Sequence, residues 1–224
     1  MTSGEGRLAS LVRAFGGRRV LVVGDLVADR FVYGEISRVS REAPVLILRH
    51  ERTETVPGGA ANCAANLAAL GARTSVVGVA GEDEAGAALL TQLGAAGVDC
   101  SRVIRSPQFT TTTKERILAG QAHSTRQQVI RVDYEGAPLV EAGVRAELAA
   151  HVSEAARGCE AVVVSDYNYG VACEAVITVL RELAAQRTTP VLVDSRFRLL
   201  EFSGFTSATP NEDEVEHVTG RRFE

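Results

Sequence analysis

Two glycines, Gly58 and Gly59, stand directly before a run of small residues in VPGGAANCAANLAALG, and two asparagines, Asn62 and Asn66, interrupt that run. Glycines just ahead of a helix let backbone N–H groups approach a ligand closely, and a helix N-terminus favours electronegative groups. Asn62, one turn in, offers both a donor and an acceptor to a polyol. Asn66 lies one turn further along the same face, as a supporting partner. A tightly packed Gly/Ala helix start accounts for the same residues without a ligand, and both readings stand. A second concentration of chemistry is TTTKERILAGQAHSTRQQVIRVDYE, which places Lys114, Arg116, Arg126 and Arg131 on two expected strands. Arginine recognises phosphate through a planar fork, so a ligand that already carries a phosphate suits this segment; a solvated charged face is the alternative. Asp166 and Asp194 close short apolar runs, at expected strand ends.

Other chemistries are excluded by pattern. There is no G-x-x-x-x-G-K-[ST], no H-E-x-x-H and no G-x-S-x-G. GEGRLA, residues 4–9, matches a dinucleotide fingerprint loosely, but no strand precedes it. His50, His123, His151 and His217 show no ligand spacing, and Cys63, Cys100, Cys159 and Cys173 form no C-x-x-C pair. Cysteine usage therefore predicts a reduced cytoplasmic protein without a zinc site. A formal charge of -4 gives no general attraction to nucleic acid or to an anionic membrane. The apolar runs are of strand length, too short to span a membrane or to act as a secretion signal.

These residues must be positioned by alternating elements. With 224 residues, 46% of them hydrophobic, one globular domain can bury a sizeable core. RRVLVVGD reads as a strand buried on both faces. Residues 30–56 alternate short apolar runs with breaks and read as a hairpin-like excursion. The glycine-led helix follows, then the strand TSVVGVAG and a helix over residues 83–97. Paired strands are expected over 110–118 and 127–134, a helix over 140–157, and the strand AVVVSD. A helix over 171–186, the strand PVLVD, a short strand near GFTSAT and a helix after Pro210 complete the pattern. The sequence thus predicts an α/β fold, a mostly parallel sheet flanked by helices, with a small β excursion.

Gly58-Gly59-Ala60-Ala61-Asn62-Cys63-Ala64, with Gly71 and Gly81 at their spacing, resembles the N-terminal signature of the ribokinase/PfkB carbohydrate kinase family. VVGDLVADRFVYGEISRVSREAPV, QQVIRVDYE, VVVSDYNYG, VLVD and TPNEDEVEHVTG resemble successive segments of the bacterial heptose 7-phosphate kinases, over roughly residues 18 to 220. The resemblance implies a ribokinase-like fold and ATP-dependent phosphoryl transfer to a sugar, with heptose 7-phosphate giving heptose 1,7-bisphosphate. It implies that Gly58, Gly59 and Asn62 contact the sugar and that Asp29 accepts hydrogen bonds from its hydroxyls, although Asp29 also reads as a turn or cap residue. Asn211 and Glu214 match the family's N-x-x-E motif, which handles Mg²⁺ and phosphate, Glu214 through water. Plain helix capping by the same pair is the competing reading. Asp194 and Arg196 are expected on the nucleotide side, and Lys114 and Arg116 on the substrate side. The excursion resembles the family's lid, about residues 30–56 and 108–134, which closes over the sugar and forms a homodimer contact. A lid excludes the water that would compete for the phosphoryl group.

Departures from the family pattern set further expectations. Related kinases carry a late Gly-Ala-Gly-Asp motif whose Asp takes the proton of the attacking hydroxyl; the sequence has no such motif. The expectation is an incomplete kinase domain, inactive alone. A non-catalytic sugar-phosphate binding or dimerisation module, and a PfkB kinase for another sugar or a nucleoside, are the alternatives. Tyr169 stands where heptose kinases tend to have Lys, and Ser195 and Arg196 where they tend to have Pro and Lys.

Overall fold

A computed structural model describes residues 4–121, 125–136 and 141–222; His123 lies outside them. In chain order the elements are α1 (Gly4–Arg13), β1 (Arg19–Gly24), β2 (Leu26–Val39), β3 (Leu46–Gly59), α2 (Ala60–Ala69), β4 (Arg73–Gly81), α3 (Glu84–Ala95) and β5 (Asp99–Ser106). They continue with β6 (Thr113–Gly120), β7 (Gln127–Tyr134), α4 (Ala142–Ala156), β8 (Ala161–Asp166), α5 (Glu174–Ala185), β9 (Val191–Ser195), a short 3-10 turn (Leu199–Phe202), β10 (Ser207–Ala208) and α6 (Glu212–Thr219).

Six strands form a parallel sheet in the order β10-β9-β8-β1-β4-β5. Its central strands are continuous β-branched runs because both faces are covered. Leu21, Val23, Val77, Val162 and Val164 pack against Leu148 and Val152 of α4 and Leu180 of α5. Val22 and Val76 meet Ala60, Ala61 and Ala64 of α2 and Leu89 and Leu93 of α3 on the opposite face. The small residues of α2 are thus a packing requirement as well: Ala60, Ala61 and Ala64 are fully buried.

A second sheet, β3-β2-β6-β7, stands apart from the first. β2 and β3 form an antiparallel hairpin, β6 runs parallel to β2, and β7 returns antiparallel to β6. The excursion begins earlier than expected, at Leu26, since the chain passes from one sheet into the other at Asp25. Three elements are not expected from the sequence: α1, the 3-10 turn, and β5, an edge strand whose DCSRVIRS carries charges between its apolar residues. The two sheets are tied where the chain crosses between them. Asp83 caps α3 through the Gly86 N–H (2.7 Å) and accepts from the Thr111 N–H (2.8 Å), while Thr111 Oγ1 accepts from the Gly81 N–H at 2.8 Å.

Burial alone would raise the Asp83 carboxyl, but the Thr111 and Gly86 N–H bonds outweigh it and hold it below the ordinary Asp range. A carboxyl with a lowered folded-state pKa stabilises the fold above its unfolded pKa, and that contribution is lost as pH falls through the folded value. Urea unfolding midpoints should therefore fall as pH drops below about 4. Asp83→Asn should flatten this acid-side dependence; an unchanged pH profile in the variant would contradict the assignment.

Candidate functional site

The strand order reverses direction at β1: β4 and β5 lie to one side, β8, β9 and β10 to the other. Open parallel sheets bind ligands at such a switch point, beyond the carboxyl ends of the strands. Asp25, the residue after β1, sits there 1% exposed. Its Oδ2 accepts from the N–H groups of Tyr167 (2.8 Å) and Tyr169 (3.1 Å), and its Oδ1 from that of Val171 (3.1 Å). One buried carboxylate thus folds the segment after β8 across the switch point. Burial pushes the Asp25 carboxyl up, the backbone bonds oppose this, and the charge of Asp166 adds to the rise. The N–H donors compensate a charge that would otherwise be costly to bury.

Asp29 reaches this crevice from β2 rather than from the end of β1. In register it pairs with Lys114 of β6, and Phe31 pairs with Arg116. Alternation puts Asp29, Phe31, Lys114 and Arg116 on one face of the small sheet. Arg116 donates to Asp29 Oδ1, forming an ion pair 87 residues apart in sequence. Asp29 Oδ2 is turned toward Gly58, where a Cβ would lie 2.5 Å from it; among the described residues no hydrogen-bond donor meets that oxygen. Gly59 has φ +55, and a Cβ there would lie 2.6 Å from the Asp25 carbonyl. The glycine pair is therefore required twice, once by the Asp29 carboxylate and once by the turn into α2. No side chain caps α2. Asn66 Nδ2 donates to Asn62 Oδ1 at 3.2 Å, which orients the exposed Asn62 amide and leaves its own N–H groups outward.

Lys114 and Arg116 therefore differ. Arg116 is paired with Asp29 through one nitrogen of its guanidinium. Lys114 Nζ has no carboxylate partner among the described residues and lies 5.8 Å from the centre of the Tyr167 ring.

On the far side of the crevice, Asp166 is 1% exposed. It accepts from Ser195 Oγ (2.7 Å), Arg198 (2.8 Å) and the Asn168 N–H (3.2 Å). With these three donors Asp166 pins the ends of β8 and β9 together, a structural role beside the one expected from its place at a strand end. Ser195 and Arg198 hold that pin, which gives the departure at Ser195 a structural role. Asp194 is half-buried; burial first, then the charges of Glu214 and Asp166, raise its carboxyl. Glu214 and Asn211 form a complete capping box at the start of α6, with both bonds at 2.9 Å. Capping is thus an actual role of the N-x-x-E pair. Arg196 is exposed, its guanidinium 5.3 Å from the Phe197 ring centre. A cavity of about 430 Å³ runs between the sheets and is lined by Phe109, Thr112, Glu135, Tyr167, Tyr169 and Arg196.

Residues 18–224 match the family described as pfkB family carbohydrate kinase. The chain belongs to the pfkB family of carbohydrate kinases. It is 40% identical over 203 residues to the bifunctional protein HldE of Azorhizobium caulinodans, covering 90% of this chain and 41% of that protein. The chain spans about two-fifths of the length of the curated relatives it matches. The phosphofructokinase-2 of Escherichia coli in complex with fructose-6-phosphate superposes with a TM-score of 0.65 at 18% identity, covering 93% of this chain and 66% of that one. The ribokinase of Arabidopsis thaliana complexed with ribose and ATP superposes with a TM-score of 0.62 at 19% identity, covering 93% of this chain and 64% of that one. The fold is ribokinase-like. No helix among the described residues is long and apolar enough to cross a membrane.

Three residues of the pfkB crevice were not singled out from sequence: Asp25, Tyr167 and Arg198. Asp25 had a signal, a carboxylate at the end of a fully apolar run, but its partners lie 142 to 146 residues away.

Proposed function

We propose that the chain supplies the sugar-orienting part of a kinase that moves the γ-phosphoryl group of ATP to a hydroxyl of heptose 7-phosphate, giving the 1,7-bisphosphate. The observation that carries this reading is the division of the Asp29 carboxylate: one oxygen is held by Arg116 and the other faces the Gly58 turn with no donor among the described residues. A carboxylate fixed in this way accepts hydrogen bonds from sugar hydroxyls at little ordering cost. Gly58 and Gly59 let the α2 backbone come close to the sugar, and Asn62 adds a side-chain amide. Lys114, on the same face and without a carboxylate partner among the described residues, suits the phosphate that the substrate already carries.

Asp194, Arg196, Asn211 and Glu214 line the nucleotide side in this reading. The charge of Glu214 adds to the rise that burial imposes on Asp194, and neither has a cationic partner among the described residues. No cluster of three or more metal-ligating side chains occurs among those residues. Hydrated Mg²⁺ suits the pair, because it takes one or two carboxylates and fills the rest of its shell with water and phosphate oxygens. Asp194 and Glu214 would hold it, where it would neutralise charge on the transferring phosphates. Arg196 would meet phosphate oxygens with its planar fork.

The small sheet serves as the lid and as the contact to a second copy. Its other face carries Val32, Ile117 and Ile130 in register across β2, β6 and β7, and Ile130 is 53% exposed. Sedimentation should show a dimer that Ile130→Glu converts to monomer, and a monomeric wild type would contradict this contact.

Calorimetric titration with heptose 7-phosphate and with the unphosphorylated heptose tests the sugar site. Asp29→Asn is expected to weaken both sugars by about tenfold or more. Lys114→Ala should remove the preference for the phosphorylated one. Equal affinity of the wild type for the two sugars would contradict the phosphate assignment, and undiminished binding by Asp29→Asn would contradict the site.

A further inference from the structure

Tyr167 is the residue on which the two sides of the crevice converge. Its backbone is fixed by the bond from its N–H to Asp25 Oδ2. Its ring is half-buried, lines the cavity between the sheets and stands 5.8 Å from Lys114 Nζ. Burial raises the phenol first; the Asp194 charge then raises it, Arg196 lowers it, and Asp29 and Cys63 raise it further. The ring is therefore within electrostatic reach of both the sugar-side carboxylate and the strand-end pair, and its hydroxyl keeps its proton at neutral pH.

The hydroxyl is what sets Tyr167 apart from its neighbour. Tyr169 donates to Glu135 Oε1 at 2.6 Å and is thereby spent on the contact between the β8 loop and the segment after β7. The Tyr167 hydroxyl has no protein partner among the described residues, although a half-buried tyrosine O–H ordinarily finds one. An aromatic face beside an open donor, on a backbone anchored by a buried carboxylate, matches the needs of a ring-shaped polyol: an apolar wall and one directed hydrogen bond.

We propose that Tyr167 is a substrate-contacting residue that walls the sugar crevice between Asp29 and Asp194 and donates its phenolic hydrogen to the bound sugar. This rests on the sugar-site reading above and adds to it a residue that composition and spacing did not mark.

The test uses this chain, heptose 7-phosphate, and the variants Tyr167→Phe, Tyr167→Ala and Asp29→Asn. Phe keeps the wall and removes the donor: affinity should fall about five- to tenfold, the loss of one neutral hydrogen bond, with the melting temperature unchanged. Ala removes both and should cost more affinity than Phe. The chain has four tyrosines and no tryptophan, so its emission reports tyrosine alone. The sugar should change that emission in the wild type and change it much less in Tyr167→Phe. Wild-type affinity and a wild-type emission change in Tyr167→Phe, while Asp29→Asn loses binding, would overturn the role of Tyr167 and leave the sugar site standing. A wild-type chain that does not bind the sugar at all would overturn the site itself and this inference with it. Should Tyr167→Ala fail to fold, the Phe variant decides.

Discussion

The crevice depends on one buried carboxylate. Asp25 leaves the central strand at the point where the sheet order reverses, and its two oxygens collect three backbone N–H groups from residues 167–171. Removing a charge from water is unfavourable unless donors replace the water, so the charge and the loop conformation are obligatory to each other. The placement of the Tyr167 ring and the Tyr169 link to Glu135 follow from that loop. On the other side the same residue turns the chain into the second sheet, and its carbonyl accepts the first N–H of α2, from Ala60, at 3.0 Å. Asp25 thus sits where both sheets and the glycine-led helix meet.

A second constraint acts on Asp29. The absence of a Cβ at Gly58 gives its carboxylate room, and Arg116 fixes one of its oxygens. Such a carboxylate is preorganised, because the side-chain freedom it would lose on binding is already restricted. The arrangement also explains why two cations on one strand face are not equivalent. Arg116 is paired with a carboxylate across the sheet and sets its geometry, while Lys114 has no carboxylate partner among the described residues. In the proposed function, phosphate recognition goes to Lys114, and sugar recognition to the carboxylate that Arg116 holds.

Much of this was legible in the sequence, for identifiable reasons. The runs VLVV and AVVV are continuous because both sheet faces are covered, and such runs announce central strands without long-range information. Asn211 and Glu214 form their capping box within four residues, so local pattern suffices. Gly58 and Gly59 were marked by spacing, although the reason for Gly58 is Asp29, a strand away. What escaped is what distance hides. Nothing local says that Arg116 pairs with Asp29, that Asp166 is consumed by Ser195 and Arg198, or that Asp25 holds a loop more than a hundred residues downstream. The edge strand β5 escaped for another reason, since a strand at the rim has polar and charged positions that blur its period.

The most direct test of the central claim is amide hydrogen exchange at Tyr167, Tyr169 and Val171 in the ligand-free chain, with Asp25→Asn alongside. Loop amides without partners exchange freely, whereas amides held by a buried acceptor exchange only when that contact opens. The three should be protected to the level of the β1 and β8 core, and protection should fall together in Asp25→Asn, which has one acceptor oxygen where aspartate has two. Fast exchange of the three amides in the wild type, or protection that persists in the variant, would contradict a crevice built on Asp25.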